Sequence, residues 1–346
     1  MAFLLPLLLA VAVPRVVVAA VAAVEPVTAD TPLTHVPMIM THDAGSGYLG
    51  PSLVDRWTQT QSVGLAEQLA CGARAFDARP TRSGNATVWH HGGVAVDYKF
   101  SRSVADMVAW LNHEATENRT ELVLLNVWDC EGTDCLKHVV SEATAAGANV
   151  VQDCSKLAGL TLGGALELGK LSGGGSMLVF TGGGGPNAAA CATTHYESSL
   201  ECTSALLSEP ADIGSAAAAP GGEASGSGGG AGAGALPLFH GCWTTDKDHE
   251  KQINKMLKQL DGFISTGLSN SSFWQAQAIW QEGADSVVIG TLRNSSLLKD
   301  EAESQLNSEL AKQVRAGRWP QLNFLEVNNV CDGGPQLLQA IRDTYY

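Results

Sequence analysis

Short apolar runs alternate along the chain with longer amphipathic segments. The strand-like runs are VPMIM (36–40), ARAFDA (73–78), ELVLLNVW (121–128), SMLVF (176–180), SVVIG (286–290) and LNFLEV (322–327). Apolar residues at helical spacing predict helices within 103–115, 246–264 and 296–314. Strands that alternate with helices predict an α/β fold with parallel strands. Six or more such units fit one irregular TIM-type β/α barrel over residues 30–346.

Three segments modify this picture. The run FWQAQAIWQ (273–281) has Trp274, Ala278 and Trp280 near helical spacing, and it is predicted to be a helix covering the barrel, with a membrane-docking face as the alternative. Two Gly/Ala-rich stretches, about 181–190 and 214–235, have no side chains that could build a core. We interpret both as low-complexity insertions in surface loops of a single domain rather than as an interdomain linker, because the last strand-like runs are needed to complete the sheet.

The N-terminus is almost wholly apolar up to Val24, with small residues near its end. Residues 1–24 are therefore predicted to be a secretory signal peptide, with an uncleaved signal anchor as the rival because the run is nearly long enough to span a bilayer. The cysteine count is even, and four N-x-[ST] sequons occur, at Asn85, Asn118, Asn270 and Asn294. These features favour a secreted glycoprotein with disulfides, and Cys130–Cys135 and Cys191–Cys202 are candidate local pairs.

Charge narrows the range of partners. The formal net charge is −14 at pH 7, and no basic stripe runs along the sequence. Nucleic acid is therefore excluded as a partner, and an anionic substrate would have to be held by a few local cations.

The stretch THDAGSGYLG (41–50) contains a possible nucleotide-binding motif. Gly45, Gly47 and Gly50 fit G-x-G-x-x-G, but three residues separate the apolar run from the first glycine, and Pro51 follows the last. A dinucleotide loop needs its glycine directly after the strand and a helix starting within the motif. We therefore predict no nucleotide cofactor here. The P-loop-like spacing in GALELGKL (164–171) is rejected because Leu171 replaces the Ser/Thr that would bind magnesium.

Titratable residues follow three successive strand-like runs. The first run is followed by His42 and Asp43, the second by Asp77 and Arg79, and the third, TVWHHGG (87–93), by His90 and His91. The carboxyl ends of barrel strands meet at one mouth, where active sites of such barrels form. Two imidazoles can serve as general base and general acid, and an arginine can neutralise a developing phosphate charge. This set of groups suits cleavage of a phosphodiester by a neighbouring hydroxyl.

The motifs MIMTHDAGSGYL, CGARAFDARP, VWHHGG and TELVLLNVWD resemble the X-region of phosphatidylinositol-specific phospholipase C, and more broadly the PLC-like phosphodiesterase superfamily of TIM-type barrels. The resemblance is strong over about residues 36–130. It implies that His42 is the general base and His91 the general acid. It also implies that Arg79 binds the phosphate, that Asp43 orients the second histidine and that Asp77 supports the arginine.

The resemblance leaves several residues less certain in role. His90 is expected to be structural, and it is the alternative acid if His91 is not. The family's last strand supplies an aspartate to the base, whereas this chain has Asn328 there and Asp332 a few residues later. No counterpart of the basic inositol ligands is found. The substrate-binding candidates are instead Trp128, Asn126 and Lys99, and Trp128 could equally be a packing residue.

Metal use is addressed by the same resemblance. The calcium-dependent branch resembles a set of oxygen ligands for which this chain has Ala75 and Trp128 at two positions where glutamates would fall. Arg79 can occupy the electrostatic role of the cation. The resemblance therefore implies a bacterial-type site without a metal or another cofactor.

These observations predict a phosphoric diester hydrolase that cleaves a phosphoinositide or GPI-like diester through a cyclic phosphate. Its partner would be a phospholipid or inositol phosphodiester, with transient contact to a membrane surface. The alternative is a catalytically weak or inactive secreted barrel that acts as a binding module, which the asparagine at position 328 favours. A metal-dependent glycerophosphodiesterase or sphingomyelinase D type of enzyme would need an acidic metal triad, and Ala75 argues against it.

Overall fold

The computed structural model describes residues 24–50, 52, 54–91, 94–117, 121–127, 129–153, 156–157, 159–181, 193–196, 239–242, 252–265, 272–281 and 283–346. The predicted leader and both low-complexity insertions lie outside these residues, apart from Val24 and Thr181. Trp128 also lies outside them. No helix among the described residues is long and apolar enough to cross a membrane.

Nine strands form one parallel sheet. They are β1 (Met38–Thr41), β2 (Ala75–Ala78), β6 (Leu122–Val127), β7 (Asn149–Val151), β8 (Ser176–Thr181), β9 (Thr193–Tyr196), β10 (Phe239–Cys242), β11 (Phe273–Ala278) and β12 (Phe324–Val327). Their order is β7-β8-β6-β2-β1-β12-β11-β10-β9, which places the first and last strands of the chain side by side at the centre. The register pairs Met40 with Glu326 and Asp77 with Asn126, so the ends of these strands are level.

Helices follow most strands. They are α1 (Asp55–Thr58), α2 (Leu65–Ala70), α3 (Phe100–Thr116), α4 (Cys135–Ala145), α5 (Leu162–Leu168), α6 (Ile253–Ile264), α7 (Ala284–Leu292), α8 (Leu297–Ser304), α9 (Leu306–Arg315) and α10 (Gly334–Tyr345), with 3-10 helices at Leu33–His35 and Ala44–Tyr48. Alternate strand residues such as Ile39, Phe76 and Leu325 join a large apolar cluster with the helices. This alternation of parallel strands and covering helices confirms the α/β prediction.

The other face of the strands shows that the sheet is curled. Met40, Leu124 and Phe180 from one half of the sheet share a second apolar cluster with Phe273 and Phe324 from the other half. The rings of Phe273 and Phe324 stack with centroids 5.5 Å apart. This cluster fills the space that the strands enclose, as in a β/α barrel. No pairing among the described strands joins β9 to β7 or β8, so the described sheet is an open arc.

Three sequence-based assignments are wrong. Residues 273–278, predicted as part of a helix, form β11, whereas 286–290, predicted as a strand, lie in α7. The segment 296–314 is two helices rather than one, because Gln305 takes a left-handed conformation (φ 57°) between them. Short apolar runs satisfy the helical and strand periods equally well, so packing decided the first two cases.

The third strand-like run of the motif region also differs from the expectation. TVWHHGG contributes β4 (Ala86–His91), which pairs antiparallel with β3 (Pro80–Ser83) and β5 (Val94–Lys99) in a separate three-stranded sheet. His91 therefore does not come from a barrel strand. It reaches the mouth of the barrel from an antiparallel sheet inserted between β2 and α3.

Two disulfides hold distant or exposed segments. Cys130 and Cys135 are bonded, as predicted, at the start of α4. Cys71 is bonded to Cys331 over a sequence separation of 260 residues, a pairing that the sequence did not indicate. This second bond joins the end of α2 to the loop between β12 and α10. The Cys191–Cys202 pair lies outside the described residues.

Candidate active site

The loop after β1 is shaped by close packing. Asp43 adopts a left-handed conformation (φ 42°) and leads into the 3-10 helix Ala44–Tyr48. A Cβ atom at Gly45 would lie 2.5 Å from the Trp89 ring, and one at Gly47 would lie 1.8 Å from the Val63 carbonyl oxygen. The first two glycines of the G-x-G-x-x-G match are therefore required by packing and not by a nucleotide.

Asp43 lies at the centre of a buried cluster of charged groups. Its Oδ1 atom is 2.7 Å from Nε of Arg79. Its Oδ2 atom is 2.9 Å from Nε2 of His91 and 3.2 Å from Nε2 of His42. The two imidazole centroids are 6.2 Å apart. The structure thus brings together both predicted histidines, the arginine and the aspartate at the carboxyl ends of neighbouring strands.

Asp77 fixes the arginine and the loop at the same time. Its carboxylate accepts hydrogen bonds from Nε and Nη2 of Arg79, at 3.2 and 2.8 Å, and its Oδ2 also accepts from the backbone N–H of Asp43 at 3.0 Å. Burial disfavours the guanidinium charge, but Asp43 and Asp77 outweigh it and raise the pKa of Arg79 further above its usual value. A fixed positive charge therefore remains at this position at every physiological pH.

His91 is placed as a cation. Its Nε2 faces the Asp43 carboxylate, and its Nδ1 donates to the backbone carbonyl of Thr58. Both partners can only accept, so the geometry calls for a proton on each ring nitrogen. Burial opposes the charge, but the electrostatic attraction and hydrogen bond of Asp43 outweigh it and raise the pKa of His91 to about 9. The ring is therefore protonated at neutral pH and can donate a proton.

His42, in contrast to His91, is held in its neutral form. Burial is the main cause that lowers its pKa below the ordinary value, and Arg79 and His91 lower it further while Asp43 opposes them. Its backbone carbonyl is held by Thr60 Oγ1 at 2.8 Å and Gln61 Nε2 at 3.1 Å. His42 is therefore neutral at neutral pH and can accept a proton. Two titratable groups whose pKa values are displaced in opposite directions are typical of an acid–base pair.

Asn328 takes the place of the aspartate that the resemblance implied. Nδ1 of His42 lies 2.9 Å from Oδ1 of Asn328. Nδ2 of Asn328 donates to Oε1 of Glu301 at 2.7 Å, and the same oxygen accepts from the backbone N–H of Trp280 at 3.1 Å. Because a carboxylate can only accept, Glu301 fixes the amide with its oxygen toward the imidazole. The amide oxygen then accepts from Nδ1–H of His42, and Nε2, which lies 3.2 Å from Oδ2 of Asp43, is the nitrogen that gains or loses a proton.

We expect the Asn328–Glu301 contact to depend on one partner being an amide. Asn328→Asp alone would place two carboxylates about 2.7 Å apart and should lower the free energy of unfolding by about 1–3 kcal/mol at pH 7. Asn328→Asp with Glu301→Gln restores an amide–carboxylate pair and should recover this loss. The double variant should also raise the pKa of His42, because the carboxylate of the new aspartate faces Nδ1 of the imidazole. Chemical unfolding and NMR titration of His42 measure both effects, and equal stability of the single and double variants would contradict this account.

The interior of the sheet below this cluster is polar. Glu326 on β12 is fully buried, and burial together with the nearby Asp77 raises its pKa to about 8. Asn126 on β6 pairs in register with Asp77, and its Nδ2 has no hydrogen-bond partner among the described residues. Asn126 therefore lies beneath the cluster, and its assignment to substrate binding stays a prediction. Nothing in the sequence marked Glu326 as part of this environment.

Other predicted residues are not brought to the cluster. Lys99 is paired with Val88 at the far end of β5, whereas His91 is paired with Val94 at the near end. Asn328, and not Asp332, bonds to His42. His90 points away from Asp43, toward Asp129. The prediction for Trp128 falls on a residue outside those described.

The residues that orient the two histidines lie far from them along the chain and were not identified from the sequence. Four residues are involved. Thr58 ends α1, Thr60 and Gln61 follow it, and Glu301 comes from α8. The segment 58–61 (TQTQ) has no pattern that marks it in the sequence, and Glu301 sits among the acidic residues of a surface-like helix. Only their burial against the strand ends identifies them.

Part of the cluster has the residue types of a metal site. His42, Asp43 and Asp77 offer ligand atoms within 4.8 Å of one another. The Asp43 and Asp77 carboxylates, however, already pair with Arg79, and Asp43 also pairs with His91. A divalent cation at this point would have to displace a guanidinium that is held by two carboxylates. The donor set therefore does not fit a resident metal ion.

Known structures resemble this chain although its sequence is distant from them. No protein-family model and no curated protein sequence matches it. A mutant of the phosphatidylinositol-specific phospholipase C from Staphylococcus aureus covers 92% of this chain and 96% of its own, with a TM-score of 0.58 and 16% identity. The chain has the fold of the bacterial phosphatidylinositol-specific phospholipases C. The enzyme from Listeria monocytogenes matches over the same shares of the two chains, with a TM-score of 0.53 and 12% identity.

Proposed function

We propose that this protein is a phosphoric diester hydrolase that acts on an inositol-type phosphodiester, such as a phosphoinositide or a GPI-like lipid. The observation that carries the proposal is the pair of imidazoles around Asp43, of which one is held neutral and the other protonated. Arg79 pairs with the same carboxylate as a fixed positive charge. The shared fold with enzymes that are phosphatidylinositol-specific phospholipases C supports the same class of reaction.

The proposed reaction has two steps. Nε2 of His42 removes the proton from a substrate hydroxyl, whose oxygen attacks the adjacent phosphorus while Arg79 neutralises the charge that develops on the phosphate oxygens. His91 gives its Nε2 proton to the departing alkoxide, so that the P–O bond breaks without a free alkoxide forming. The products are a five-membered cyclic phosphate and an alcohol. Water then opens the ring, with the two histidines in exchanged roles.

Product analysis tests this proposal. Incubation of purified protein with phosphatidylinositol, followed by ³¹P NMR, should show a cyclic phosphodiester signal before the monoester signal. A monoester that forms without the cyclic species would contradict the proposed nucleophile. The absence of any turnover, together with saturable binding of the same lipid, would favour the alternative of a binding module.

The pKa displacements predict a bell-shaped dependence of kcat/KM on pH. Activity should rise with pH while His42 loses its proton, on a limb below pH 6.5 because its pKa is lowered. Activity should fall as His91 loses its proton, on a limb near pH 9. A profile measured from pH 4 to 10 in constant ionic strength checks both limbs. An alkaline limb that remains unchanged in Asp43→Asn would contradict the role given to this carboxylate.

An exposed apolar surface lies beside the site. Val54 precedes α1, and Val288, Ile289 and Leu292 on α7 are exposed, Leu292 to 85%. The two helices are in contact, since the Nε1 atom of Trp57 donates to Thr291. These exposed aliphatic residues are here called the apolar rim. Because α1 ends at Thr58, whose backbone carbonyl accepts a hydrogen bond from Nδ1 of His91, the apolar rim adjoins the proposed site.

We propose that the apolar rim enters the surface of a lipid layer while the substrate headgroup occupies the site. Val288→Ser with Leu292→Ser should lower activity on lipid vesicles about tenfold or more, because burial of an aliphatic side chain contributes about 1–2 kcal/mol. Activity on a soluble diester should not change. Leu168→Ser on α5, also an exposed leucine, is the matched control. Equal losses on vesicles and on the soluble substrate would contradict docking.

We further propose that the protein is secreted. Two disulfides among the described residues fit an oxidising compartment, and the apolar leader fits export. N-terminal sequencing of the protein recovered from a culture medium would test cleavage near residue 24 against retention as a membrane anchor.

A further inference from the structure

His90 and His91 are adjacent on β4 but face different partners. His91 joins the acid–base cluster, whereas His90 is only 5% exposed and lies on the side of Asp129. Neither ring nitrogen of His90 has a hydrogen-bond partner among the described residues. A buried polar group without a hydrogen-bond partner costs free energy of folding. A ligand that binds this ring would remove that cost.

The ring nitrogens of His90 face two carboxylates. Nε2 lies 4.0 Å from Oδ2 of Asp129, and Nδ1 lies 3.9 Å from Oε2 of Glu131. These separations are too long for hydrogen bonds. One ligand atom from each of the three residues lies within 4.8 Å of the other two. In a tetrahedral zinc site with metal–ligand bonds of about 2.0–2.2 Å, the ligand atoms are roughly 3.4 Å apart.

The backbones of His90 and Glu131 are held in place, the former by a hydrogen bond from its N–H to Arg79 at 2.9 Å, while the carboxylates can adjust. The N–H of Glu131 donates to Pro80 at 3.1 Å, and its carbonyl accepts from Arg82 at 3.0 Å. The Cys130–Cys135 disulfide closes the same loop. The side chains of Asp129 and Glu131 are 57% and 52% exposed. A closing movement of about 1 Å therefore needs only rotations of exposed side chains.

A nearby arginine is directed elsewhere. The Nη1 atom of Arg82 donates to Thr87 at 2.9 Å and lies 3.9 Å from Glu142. This guanidinium therefore does not pair with the two carboxylates beside His90. One imidazole and two carboxylates without a fixed counter-charge suit a divalent transition-metal ion better than calcium or magnesium, which prefer oxygen ligands alone.

We propose that His90, Asp129 and Glu131 bind a divalent transition-metal ion of the zinc class, with water completing the coordination. The ion joins β4 to the loop between β6 and α4. It lies on the face of β4 away from Asp43, so its role is to fix the antiparallel sheet that carries His91. The proposal does not depend on the proposed enzymatic function, because metal binding is measured without any substrate.

Titration of the metal-free, disulfide-intact protein with Zn²⁺ against a chromophoric indicator tests the proposal. The wild-type protein should bind one equivalent, and the X-ray absorption spectrum should show one imidazole among oxygen ligands. Asp129→Asn and Glu131→Gln, which alter exposed groups, should each weaken binding more than about tenfold. His113→Ala is the matched control, because His113 is an exposed histidine beside Glu114. Its affinity should equal that of the wild type.

Three results would overturn the proposal. The first is the absence of saturable Zn²⁺ binding to the wild-type protein. The second is wild-type affinity in both carboxylate variants, which would place the ion elsewhere. The third is an NMR experiment in which the His90 ring signals do not change on addition of Zn²⁺. That result would favour an imidazolium that pairs with the two carboxylates. Circular dichroism of His90→Ala shows whether that variant is folded before its affinity is interpreted.

Discussion

His91→Ala should reduce kcat on an inositol phospholipid about 10²–10⁴-fold, the range typical of a lost general acid. The ring is protonated because Asp43 and the Thr58 carbonyl both accept from it. Without it, the alkoxide must leave unprotonated. A substrate with a nitrophenolate leaving group needs no such proton, so His91→Ala should retain most of its activity on that diester. The ratio of kcat on the two substrates is the measurement.

His42→Ala is the comparison for this experiment. The base acts on the attacking hydroxyl, which both substrates share, so the losses on lipid and on nitrophenyl diester should be similar. The opposite pattern, with His42→Ala rescued by the good leaving group, would exchange the roles of the two histidines. Turnover unchanged in both variants would remove the enzymatic assignment.

Arg79→Lys should lower kcat about 10²–10³-fold, although the charge is conserved. The guanidinium contacts Asp43 with Nε and Asp77 with Nε and Nη2, and its planar group can still present further N–H donors to a phosphate. A lysine ammonium cannot hold both carboxylates and a phosphate in that geometry. KM should change less than kcat, because the contact strengthens as charge develops on phosphate oxygens.

Arg82→Lys provides the control for arginine replacement near the site. Arg82 lies on β3 and bonds to Thr87, outside the charged cluster. Its replacement should leave kcat within about twofold, because its guanidinium contacts Thr87 and not the charged cluster. Chemical unfolding should first show that Arg79→Lys is folded at the assay temperature, so that a lower kcat is not caused by unfolding. A kcat equal to that of the wild type in a folded Arg79→Lys would contradict the phosphate-binding role.

The succession of motifs carried most of the information about the site. THD, then ARAFDARP, then VWHHGG contained the cluster, and the structure brings His42, Asp43, Asp77, Arg79 and His91 together. For the residues that follow β1 and β2 this was predictable, because parallel strands place their carboxyl ends at one edge of the sheet. His91 reaches the same edge from the antiparallel sheet, which the sequence did not indicate. Lys99 lies at the far end of β5 in that antiparallel sheet and is not brought to the cluster.

The orientation of Asn328 was inaccessible from sequence for a different reason. Asn328 and Glu301 are 27 residues apart and belong to β12's end and to α8. Each looks ordinary in its own segment. Their hydrogen bond depends on how α8 packs over the strand ends. No local periodicity in the sequence specifies that packing.

The sequence by itself determined the alternation of strands and helices, the order of the clustered residues along the chain, the Cys130–Cys135 bond and the acidic net charge. These are properties of short segments, in which period, spacing and composition act directly. The tertiary structure alone decided that 273–278 is a strand and 284–292 a helix, that His91 enters from an antiparallel sheet, and that Cys71 meets Cys331. Each of these depends on burial against residues far along the chain, and burial is set only when the whole sheet is assembled.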